Sequence, residues 1–554
     1  MCGITGFFDD QILTTSKIKK LTSQLFHRGP DEQGYYYNKK GLFFGMRRLS
    51  IIDLKNGSQP INTEKISLIF NGEIFNFIEL KKKYLNNSEQ LNSDTKVLSH
   101  LIEKKGLSIL KELNGFFAIA IFDKKKNKII LIRDRFGIKP LYYYFENNKF
   151  YFSSEIDPLR KNLNFTKKDL NIDQVNNYFT LGYIHGENRI YKKIKSLKSG
   201  SVLEFNIKKK NIRTFKWFDI KNVKDIFFDD KKKLIEKLYE KVDNAVNLWT
   251  RSDVDKVFSL SGGLDSSLLA ATYAKQGKKI NTISFVYNHK KYDRWNESIN
   301  SDLIAKKINS NHQKYYWSSN DFKKELPEVI NSLEEPFGNS ILPWFIYKKI
   351  KQKFKVCISG NGGDELFGNY SRVENYKRLI GNFYNKKNFE KNYFYKNFYF
   401  NNAYREQYLN FKTRNISEIF YKMLLENKSK IDKDRNLALL DYMGQFKDDM
   451  LFSEDKLSMR NSVEVRAPFL DYELFDFVFS LKKQRTTDNN YKYLIKELLK
   501  KLIPSGVLKS NKKGFHMPLS LFLRENYKRE LLYYLSKKNL KKVGYINETF
   551  YDEC

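Results

Sequence analysis

The chain has 554 residues, with 100 lysines and arginines against 64 aspartates and glutamates, and a formal net charge of +36. Its length and apolar content predict a globular protein of two or more domains. The three cysteines lack the spacing of a disulfide framework or a zinc site, and no segment is typical of a signal peptide or a membrane span, so we expect a cytoplasmic protein.

Residues 1–205 carry the pattern of an antiparallel β-rich domain. Phe-, Tyr- and Ile-rich runs separated by polar turns predict strands at SLIFNGEIFNF, FFAIAIFD, KIILIRD, LYYYFE and KFYFSSE. Amphipathic helices are expected at about 17–26 and 95–105. Together these elements predict an α+β sandwich of antiparallel sheets.

The second half has a different pattern, in which buried strands run into glycine loops and then helices. The segment 206–231 is densely charged and weakly periodic, so we expect a linker and domain entry there and a second domain over 232–554. Within that domain, KVFSL and KVCIS predict strands of a parallel sheet. The aromatic and Asn-rich stretch 375–411 is expected to form helices packed on this sheet.

The first candidate for chemistry is Cys2, in the opening stretch MCGITGFF. Removal of Met1 would leave a thiol and a free α-amine on the same residue. An α-amine titrates at about pH 7.7–8, so it can act as the base for the thiol directly or through one water. Cys2 is therefore a candidate nucleophile.

The clearest single motif is FSLSGGLDSSLLAATYAKQG, a strand that ends in a glycine loop and leads into a helix. Gly262 and Gly263 allow close backbone approach, and the serines with the helix-start amides can donate to a polyphosphate. A plain turn with Asp265 and Ser266 as helix caps would explain one polar residue, not the whole cluster. No GxxxxGK[ST] motif occurs, so this is not a Walker A loop.

A second glycine loop, SGNGGDELFGNY, follows the strand KVCIS. Loops at the carboxyl ends of parallel strands face one crevice, where α/β sheets bind ligands. Asp265 and Asp364 would then share a Mg²⁺ ion that bridges a pyrophosphate. Cys357, inside the strand, is expected to be a small core residue.

These loops resemble those of a known family. SGGLDSS is similar to the pyrophosphate loop of ATP-pyrophosphatases, and SGNGGDELFGNY to the partner loop of glutamine-hydrolysing asparagine synthetases. EEPFGNS, SVEVRAPFLD, YKYLIKE and KKGFHMP match as well. In the first half, Cys2 with Gly3 is followed in order by HRGPD, RRLSIID, NGEIFN, SDTKVL and RDRFGIKPLYY, which resembles a class II glutamine amidotransferase domain.

The resemblance covers nearly the whole chain and implies an Ntn-hydrolase-type domain followed by an ATP-pyrophosphatase domain with added helices. It implies a C–N ligase that hydrolyses glutamine at Cys2, adenylates a carboxylate with Mg-ATP, releases AMP and diphosphate, and lets ammonia attack the adenylate. L-aspartate is the leading acceptor. The implied partners are small molecules, with a homodimer as a further expectation and no nucleic acid or membrane.

For glutamine, the resemblance implies an oxyanion hole made by the Asn71 side chain and the Gly72 N–H. It implies that Arg48 binds the α-carboxylate and Asp94 the α-ammonium, with Glu73 in the same pocket. Further glutamine contacts are implied at Leu49, Ser50, Ile51 and Ile52. Structural alternatives stay open: a surface ion pair for Arg48, helix capping for Asp94, and a type I′ turn for Asn71 and Gly72.

For ATP, the resemblance implies that Lys492 neutralises charge on the adenylate and phosphate oxygens. Without the resemblance, a lysine on an amphipathic helix is expected to face solvent. Asp265 and Asp364 are the implied metal ligands. Nucleotide contacts are implied at Leu260, Ser261, Gly262, Gly263, Asp265, Ser266, Ser267, Phe285, Ser359 and Gly360.

Asn361 departs from the family pattern, which usually places Asp or Glu there to assist ammonia's attack. An amide cannot accept a proton at neutral pH, so either this step is slowed or the acceptor has changed. A related reaction on another carboxylate, such as a uronic acid sugar of surface polysaccharides, is the first alternative. A basic nucleic-acid-binding protein is the alternative from a different class, suggested by the net charge.

Overall fold

The computed structural model describes residues 2–12, 14–38, 40–85, 91–222, 224–296, 298–338, 340–368, 385–389, 402–413, 421–422, 425, 433–482, 484–485, 492–503 and 517–553. Most of the helical prediction for 375–411 lies outside these ranges, as do residues 512–516 of the KKGFHMP motif. No helix among the described residues has both the length and the apolar character needed to cross a membrane.

The N-terminal half is a sandwich of two antiparallel sheets. Its strands are β1 (Cys2–Phe8), β2 (Glu32–Tyr37), β3 (Leu42–Arg48), β4 (Ile61–Asn62), β5 (Ile66–Ile74), β6 (Gly115–Asp123), β7 (Lys128–Arg133), β8 (Tyr142–Glu146), β9 (Lys149–Ser153), β10 (Ile194–Ser196), β11 (Ser201–Asn206) and β12 (Asn211–Lys216). One sheet has the order β10-β8-β9-β1-β3-β2 and the other β12-β11-β7-β6-β5-β4. Ile4 and Phe44 of the first sheet share a core with Ala120 and Leu131 of the second. This arrangement confirms the predicted sandwich.

Helices pack against the sheets of the sandwich. Ser16–Ser23 and Asp94–Lys105 confirm the two predicted helices. Three further helices, Phe77–Tyr84, Ile156–Asn162 and Ile172–Leu181, were not predicted. The last of these begins at Asn171, whose side chain accepts a hydrogen bond from the Asp173 N–H, and ends at Gly182 with φ +80°, so its cap signals are present in the sequence.

Part of the segment expected to be a linker belongs to a sheet. Strand β12 lies within 206–231 and pairs along its whole length with β11, from Ser201 opposite Lys216 to Asn206 opposite Asn211. The next helix, Lys231–Trp249, begins where Asp230 accepts a hydrogen bond from the Lys232 N–H. The boundaries 1–205, 206–231 and 232–554 stay predictions.

The C-terminal half contains a parallel five-stranded sheet. Its strands are β13 (Lys256–Ser259), β14 (Asn281–Tyr287), β15 (Asn311–Trp317), β16 (Val356–Ile358) and β17 (Glu464–Arg466), in the order β15-β14-β13-β16-β17. The chain moves outward from β13 to β15 on one side, and from β16 to β17 on the other. This reversal between β13 and β16 opens a crevice at the carboxyl ends of both strands, as the two glycine loops predict.

Helices pack on both faces of this sheet, since Phe258 and Ile358 lie in one buried cluster while Val257 and Cys357 lie in another. The core position predicted for Cys357 is thereby confirmed. The described helices of this half are Lys231–Trp249, Leu264–Lys275, Ser298–Lys307, Ser319–Ser332, Leu342–Ile350, Gly363–Phe367, Lys386–Phe389, Asn402–Tyr408, Lys433–Asp441, Phe452–Met459, Tyr472–Ser480, Tyr493–Leu502, Leu519–Asn526, Lys528–Tyr534 and Lys537–Val543, with a π-helix at Tyr442–Leu451.

The two halves share a buried contact. The Trp249 ring lies 4.7 Å from the Phe75 ring and 5.6 Å from the Phe116 ring, centroid to centroid. On the helix Phe452–Met459, Asp455 forms ion pairs with Arg28 at 2.9 Å and Lys139 at 3.1 Å. These contacts join the N-terminal sandwich to two helices of the C-terminal half.

Candidate active sites

Cys2 is the first residue of a central strand. It pairs with Arg48 on β3, and its side chain is buried in the sandwich. The Cys2 N–H donates to Asn71 Oδ1 at 3.1 Å, and Arg28 Nε donates to the Cys2 carbonyl at 3.2 Å. Burial raises the pKa of the Cys2 thiol to about 11, so the thiol needs a base before it can attack.

Asn71 and Gly72 lie within a strand, so the type I′ turn alternative is wrong. They stand opposite Ala118 and Phe117 in the continuous ladder of β5 and β6. Gly72 has φ +150°, and a Cβ there would lie 2.0 Å from the Phe116 carbonyl oxygen, so only glycine fits.

Only one of the two polar atoms of the Asn71 side-chain amide has a hydrogen-bond partner among the described residues. Oδ1 accepts from the Cys2 N–H, while Nδ2 is buried without a hydrogen-bond partner among the described residues. A buried unsatisfied donor costs about 1–3 kcal/mol. The amide therefore has an N–H group ready to bind an oxygen beside Cys2.

Arg48 forms an ion pair in which the arginine is buried and Glu32 is partly exposed. Its side chain is buried, with Nη1 2.8 Å from Glu32 Oε1 and Nη2 donating to the Ile52 and Asp53 carbonyls at 3.0 and 2.8 Å. The guanidinium thus binds two adjacent carbonyl groups in the loop that follows β3. The predicted glutamine-contacting residues of that loop, Leu49, Ser50, Ile51 and Ile52, are all buried.

Asp94 is the first residue of its helix, after the N-cap residue Ser93. Its carboxylate accepts from the Ile74 N–H at 3.1 Å and the Thr95 N–H at 2.7 Å, so it binds the end of β5 as well as the first turn of its own helix. Burial raises the pKa of Asp94, against the effect of these N–H groups. The helix-capping alternative accounts for only part of this contact set.

Glu73 lies next to Asp94 in a region with excess negative charge. Burial, together with Asp94 and Glu464, raises the pKa of Glu73 well above its usual range. Arg466 offsets part of this charge, with Nη2 3.6 Å from Glu73 Oε1. A cationic ligand group would be stabilised here.

Glu464 and Arg466 are residues that the sequence analysis missed. Both lie on β17 of the C-terminal half, in the motif SVEVRAPFLD, for which no role was predicted. They are fully buried and paired with each other. The fold, rather than any local pattern, brings them to Glu73.

The first glycine loop has the predicted strand–loop–helix geometry. Ser267 Oγ and Ser266 Oγ donate to the Gly263 carbonyl at 2.6 and 3.2 Å, and the Gly263 N–H donates to Ser261 Oγ at 3.2 Å. Gly262 adopts φ +83°, and a Cβ there would lie 2.7 Å from the Asn300 Cβ. The loop is closed by its own serines at the start of the helix Leu264–Lys275.

The second loop packs directly on the first. A Cβ at Gly360 would lie 3.1 Å from the Ser266 nitrogen, and one at Gly363 would lie 2.5 Å from Asp265 Oδ1. The Ser359 N–H donates to the Arg466 carbonyl at 2.8 Å. The structure therefore brings the two predicted loops together at the crevice.

Lys492 lies between these loops, so the solvent-facing alternative is wrong. It is buried and forms ion pairs with Asp265 and Asp364. Burial would lower the pKa of Lys492, but the two carboxylates outweigh it and raise the pKa. The residue takes φ +53° immediately before the helix Tyr493–Leu502.

Phe285 lines the crevice beside the first loop. Leu260, Ser261, Ser284 and Trp295 line the same space, and the Leu260 N–H donates to the Ile283 carbonyl at 2.8 Å. The Phe285 ring stacks on Tyr315 with centroids 5.8 Å apart. An aromatic wall next to a glycine loop suits a nucleotide base.

The residues predicted to hold a metal, Asp265 and Asp364, both lie against Lys492. No group of three or more His, Cys, Asp or Glu side chains suited to a metal occurs among the described residues. Two carboxylates are nonetheless sufficient for Mg²⁺, which is commonly held by one or two carboxylates together with substrate phosphates. The pair fits a Mg-nucleotide rather than a permanently bound ion.

A cavity lies between the two halves. Its lining includes Phe116, which stands opposite Glu73 in the ladder of β5 and β6, and Asn361 of the second glycine loop. About 20 Å³ is open to the centre of a water-sized molecule, which is enough for one water or ammonia. Lys139, Glu454 and Ser458 also line this cavity.

Comparison with known proteins agrees with this geometry. Residues 1–218 match the family model for a glutamine amidotransferase domain, and residues 237–554 match the one for asparagine synthase. The chain belongs to the asparagine synthase family. As an enzyme of this family it joins an Ntn-hydrolase-type glutamine amidotransferase domain to an asparagine synthase domain, which confirms the fold and the resemblance stated above.

Relatives of this asparagine synthase family member are similar along most of its length. A Methanocaldococcus jannaschii protein is 36% identical over 406 residues, covering 68% of this chain and 77% of its own. "Asparagine synthetase [glutamine-hydrolyzing] 1" of Bacillus subtilis is 28% identical and covers 95% of this chain and 88% of its own. "Asparagine synthetase [glutamine-hydrolyzing] 3" of the same organism is 28% identical and covers 93% and 87%.

Proposed function

We propose that the protein is a glutamine-dependent asparagine synthetase. Cys2 hydrolyses glutamine, ammonia passes between the domains, and the second domain adenylates L-aspartate with ATP and amidates it. The observation that carries this proposal is the cavity lined by both Phe116 and Asn361, because Phe116 stands opposite Glu73 of the candidate glutamine site and Asn361 lies in a loop of the candidate nucleotide site. Two unrelated activities would not need it.

In the glutaminase half, the α-amine of processed Cys2 takes the thiol proton, and the thiolate attacks the glutamine side-chain amide. The free Asn71 Nδ2 group and the Gly72 N–H stabilise the resulting oxyanion. Arg48 binds the α-carboxylate, and Asp94 with Glu73 binds the α-ammonium. The raised pKa of Glu73 supports the last assignment, because a cation would relieve the excess negative charge.

In the synthetase half, the loops 260–267 and 359–364 hold the ATP phosphates, and Phe285 contacts the base. Asp265 and Asp364 would hold Mg²⁺, which supplies charge neutralisation for the pyrophosphate. Lys492, already placed against both carboxylates, shifts its contacts to the α-phosphate and acyl oxygens as charge builds there. AMP and diphosphate are the products released.

The identity of the acceptor depends on the residues around the adenylate, among them Asn361. Asn361 favours a second candidate function, the same chemistry on another carboxylate such as a uronic acid sugar, because the amide removes the expected acidic group. A nucleic-acid-binding role is disfavoured, since the two family domains account for most of the chain. The cytoplasmic location and the homodimer stay predictions.

The test is mass spectrometry of products made from amide-¹⁵N glutamine, ATP and either L-aspartate or candidate sugar acids. We expect ¹⁵N-asparagine with one AMP and one diphosphate per turnover. Label in a sugar amide would replace the first function by the second. Release of ADP and orthophosphate would refute the adenylate mechanism. The Cys2→Ala variant should retain amidation from ammonia and lose it from glutamine.

A further inference from the structure

The cavity between the two halves contains a carboxyl group that the proposed chemistry has not used. Glu454 lies on the helix Phe452–Met459, and its side chain lines the same cavity as Asn361. The Tyr347 hydroxyl, on the helix Leu342–Ile350, donates a hydrogen bond to it. We propose that Glu454 is the proton acceptor for ammonia's attack on the adenylate, the role that Asn361 cannot perform. This inference rests on the proposed function.

Nearby carboxylates are already committed to cations. Asp455 is the other carboxylate that lines the cavity, and it pairs with Arg28 at 2.9 Å and Lys139 at 3.1 Å. Asp364, in the second glycine loop, pairs with Lys492. Among the described residues, Glu454 has the Tyr347 hydroxyl as its hydrogen-bond partner and no ion pair within 4.0 Å. It is therefore the carboxyl group best placed to exchange a proton with a molecule in the cavity.

The environment of Glu454 suits a base that works near neutral pH. Burial raises the pKa of Glu454 to about 8, with Lys139 lowering it and Asp455 raising it. The charged residues on the adjacent elements are paired among themselves: Glu464 with Arg466 on β17, and Lys447 with Asp448 on the π-helix. A base is most effective when its pKa lies near the working pH.

The nitrogen lone pair of ammonia forms a bond to the acyl carbon, and the carbonyl electrons move onto oxygen. The Glu454 carboxylate takes one proton from the positively charged nitrogen. The carbonyl re-forms, and the bond to the AMP oxygen breaks with its electron pair. The products are the amide, AMP and neutral Glu454, which returns its proton to water.

Glu454→Gln tests this step because it keeps the shape of the side chain and an oxygen that accepts from Tyr347. We expect amidation from either ammonia or glutamine to fall about 10²-fold or more, the usual size of general-base assistance. ATP–diphosphate exchange, which reports adenylation alone, should keep its rate, as should glutamine hydrolysis. The wild-type amidation rate should rise with pH to a plateau above about pH 8, and this limb should be missing in the variant.

A second substitution separates a chemical role from a structural one. Asn361→Asp in the Glu454→Gln background restores a carboxylate to the cavity, and it should recover most of the lost amidation rate. Tyr347→Phe removes a donor to the carboxylate and should move the pH limb upward.

Three results would overturn the inference. They are an unchanged amidation rate in Glu454→Gln, an equal loss of amidation and exchange, or no recovery with Asn361→Asp while exchange is intact. Absence of exchange in the wild-type enzyme would instead refute the proposed function.

Discussion

The sharpest test of the glutaminase site is Asn71→Ala. The substitution removes the Oδ1 atom that accepts from the Cys2 N–H at 3.1 Å, and the buried Nδ2 donor that has no partner among the described residues. Loss of one oxyanion-hole donor typically costs about 3 kcal/mol, or 10²- to 10³-fold in kcat. Because no described group satisfies Nδ2 in the folded protein, most of this energy should appear in the transition state rather than in stability.

The assay is glutamate release from glutamine, run beside ammonia-driven amidation of the same preparation. We expect glutamate release to fall 10²- to 10³-fold and ammonia-driven amidation to keep its rate. Asn76→Ala is the matched control, because Asn76 donates to the Glu112 carbonyl and accepts from the Asn114 N–H away from Cys2. That variant should lose stability and keep most of its glutaminase kcat.

If Asn71→Ala slows glutamate release less than about 10-fold, the Nδ2 group is not the oxyanion donor. If both activities fall together, Asn71 has a structural role instead. A higher KM for glutamine with an unchanged kcat would mean that the Asn71 amide contributes to substrate binding rather than to transition-state stabilisation.

Two predictions concern the nucleotide site. Lys492→Met leaves Asp265 and Asp364 without their shared cation. ATP–diphosphate exchange should therefore fall at least about 10²-fold, while glutamine hydrolysis persists. An exchange rate above a tenth of the wild-type rate would contradict the role assigned to Lys492. Gly363→Ala places a methyl group 2.5 Å from Asp265 Oδ1. The KM for ATP should therefore rise about 10-fold or more. An unchanged KM would mean that Asp265 does not contact the nucleotide complex.

The strands that were predicted are those in which local pattern and tertiary setting agree. The apolar run FFAIAIFD is buried on both faces of β6 and needs no distant residue to be recognised. Strand β1 was missed because CGITGFF contains two glycines, which weaken a strand signal. It is nonetheless central, since a Cβ at Gly6 would lie 2.5 Å from the Phe152 ring and 2.7 Å from the Phe43 carbonyl oxygen, so close packing selects glycine.

The candidate site residues also divide into those that a local sequence pattern predicts and those that only tertiary contacts bring into place. Residues of one motif, such as Asn71 with Gly72, could be proposed from sequence, but their conformation could not, because pairing with β6 overrides the turn preference of Asn-Gly. Lys492 looks solvated by its local pattern and is buried by residues more than a hundred positions away. Glu464 and Glu454 gain their surroundings only when the two halves pack together, and no local period encodes that contact.

The last prediction concerns stability and follows from the raised pKa of Glu454, about 8 against an ordinary value of 4.5. Below about pH 4.5 the folded and unfolded states both hold this proton. Between the two pKa values only the folded state holds it, so the free energy of unfolding decreases as pH rises and becomes level again above about pH 8. The total effect is on the order of a few kcal/mol.

Glu454→Gln cannot lose that proton, so its free energy of unfolding, minus that of the wild type, should increase from pH 5 to pH 9. Urea unfolding at several pH values measures this difference, and the contributions of all other titrating groups cancel between the two proteins. A difference that stays flat across the range would mean that the carboxyl is ionised in the folded state. In that case Glu454 would lack the poised pKa that a base for ammonia's attack requires, whatever its position in the cavity.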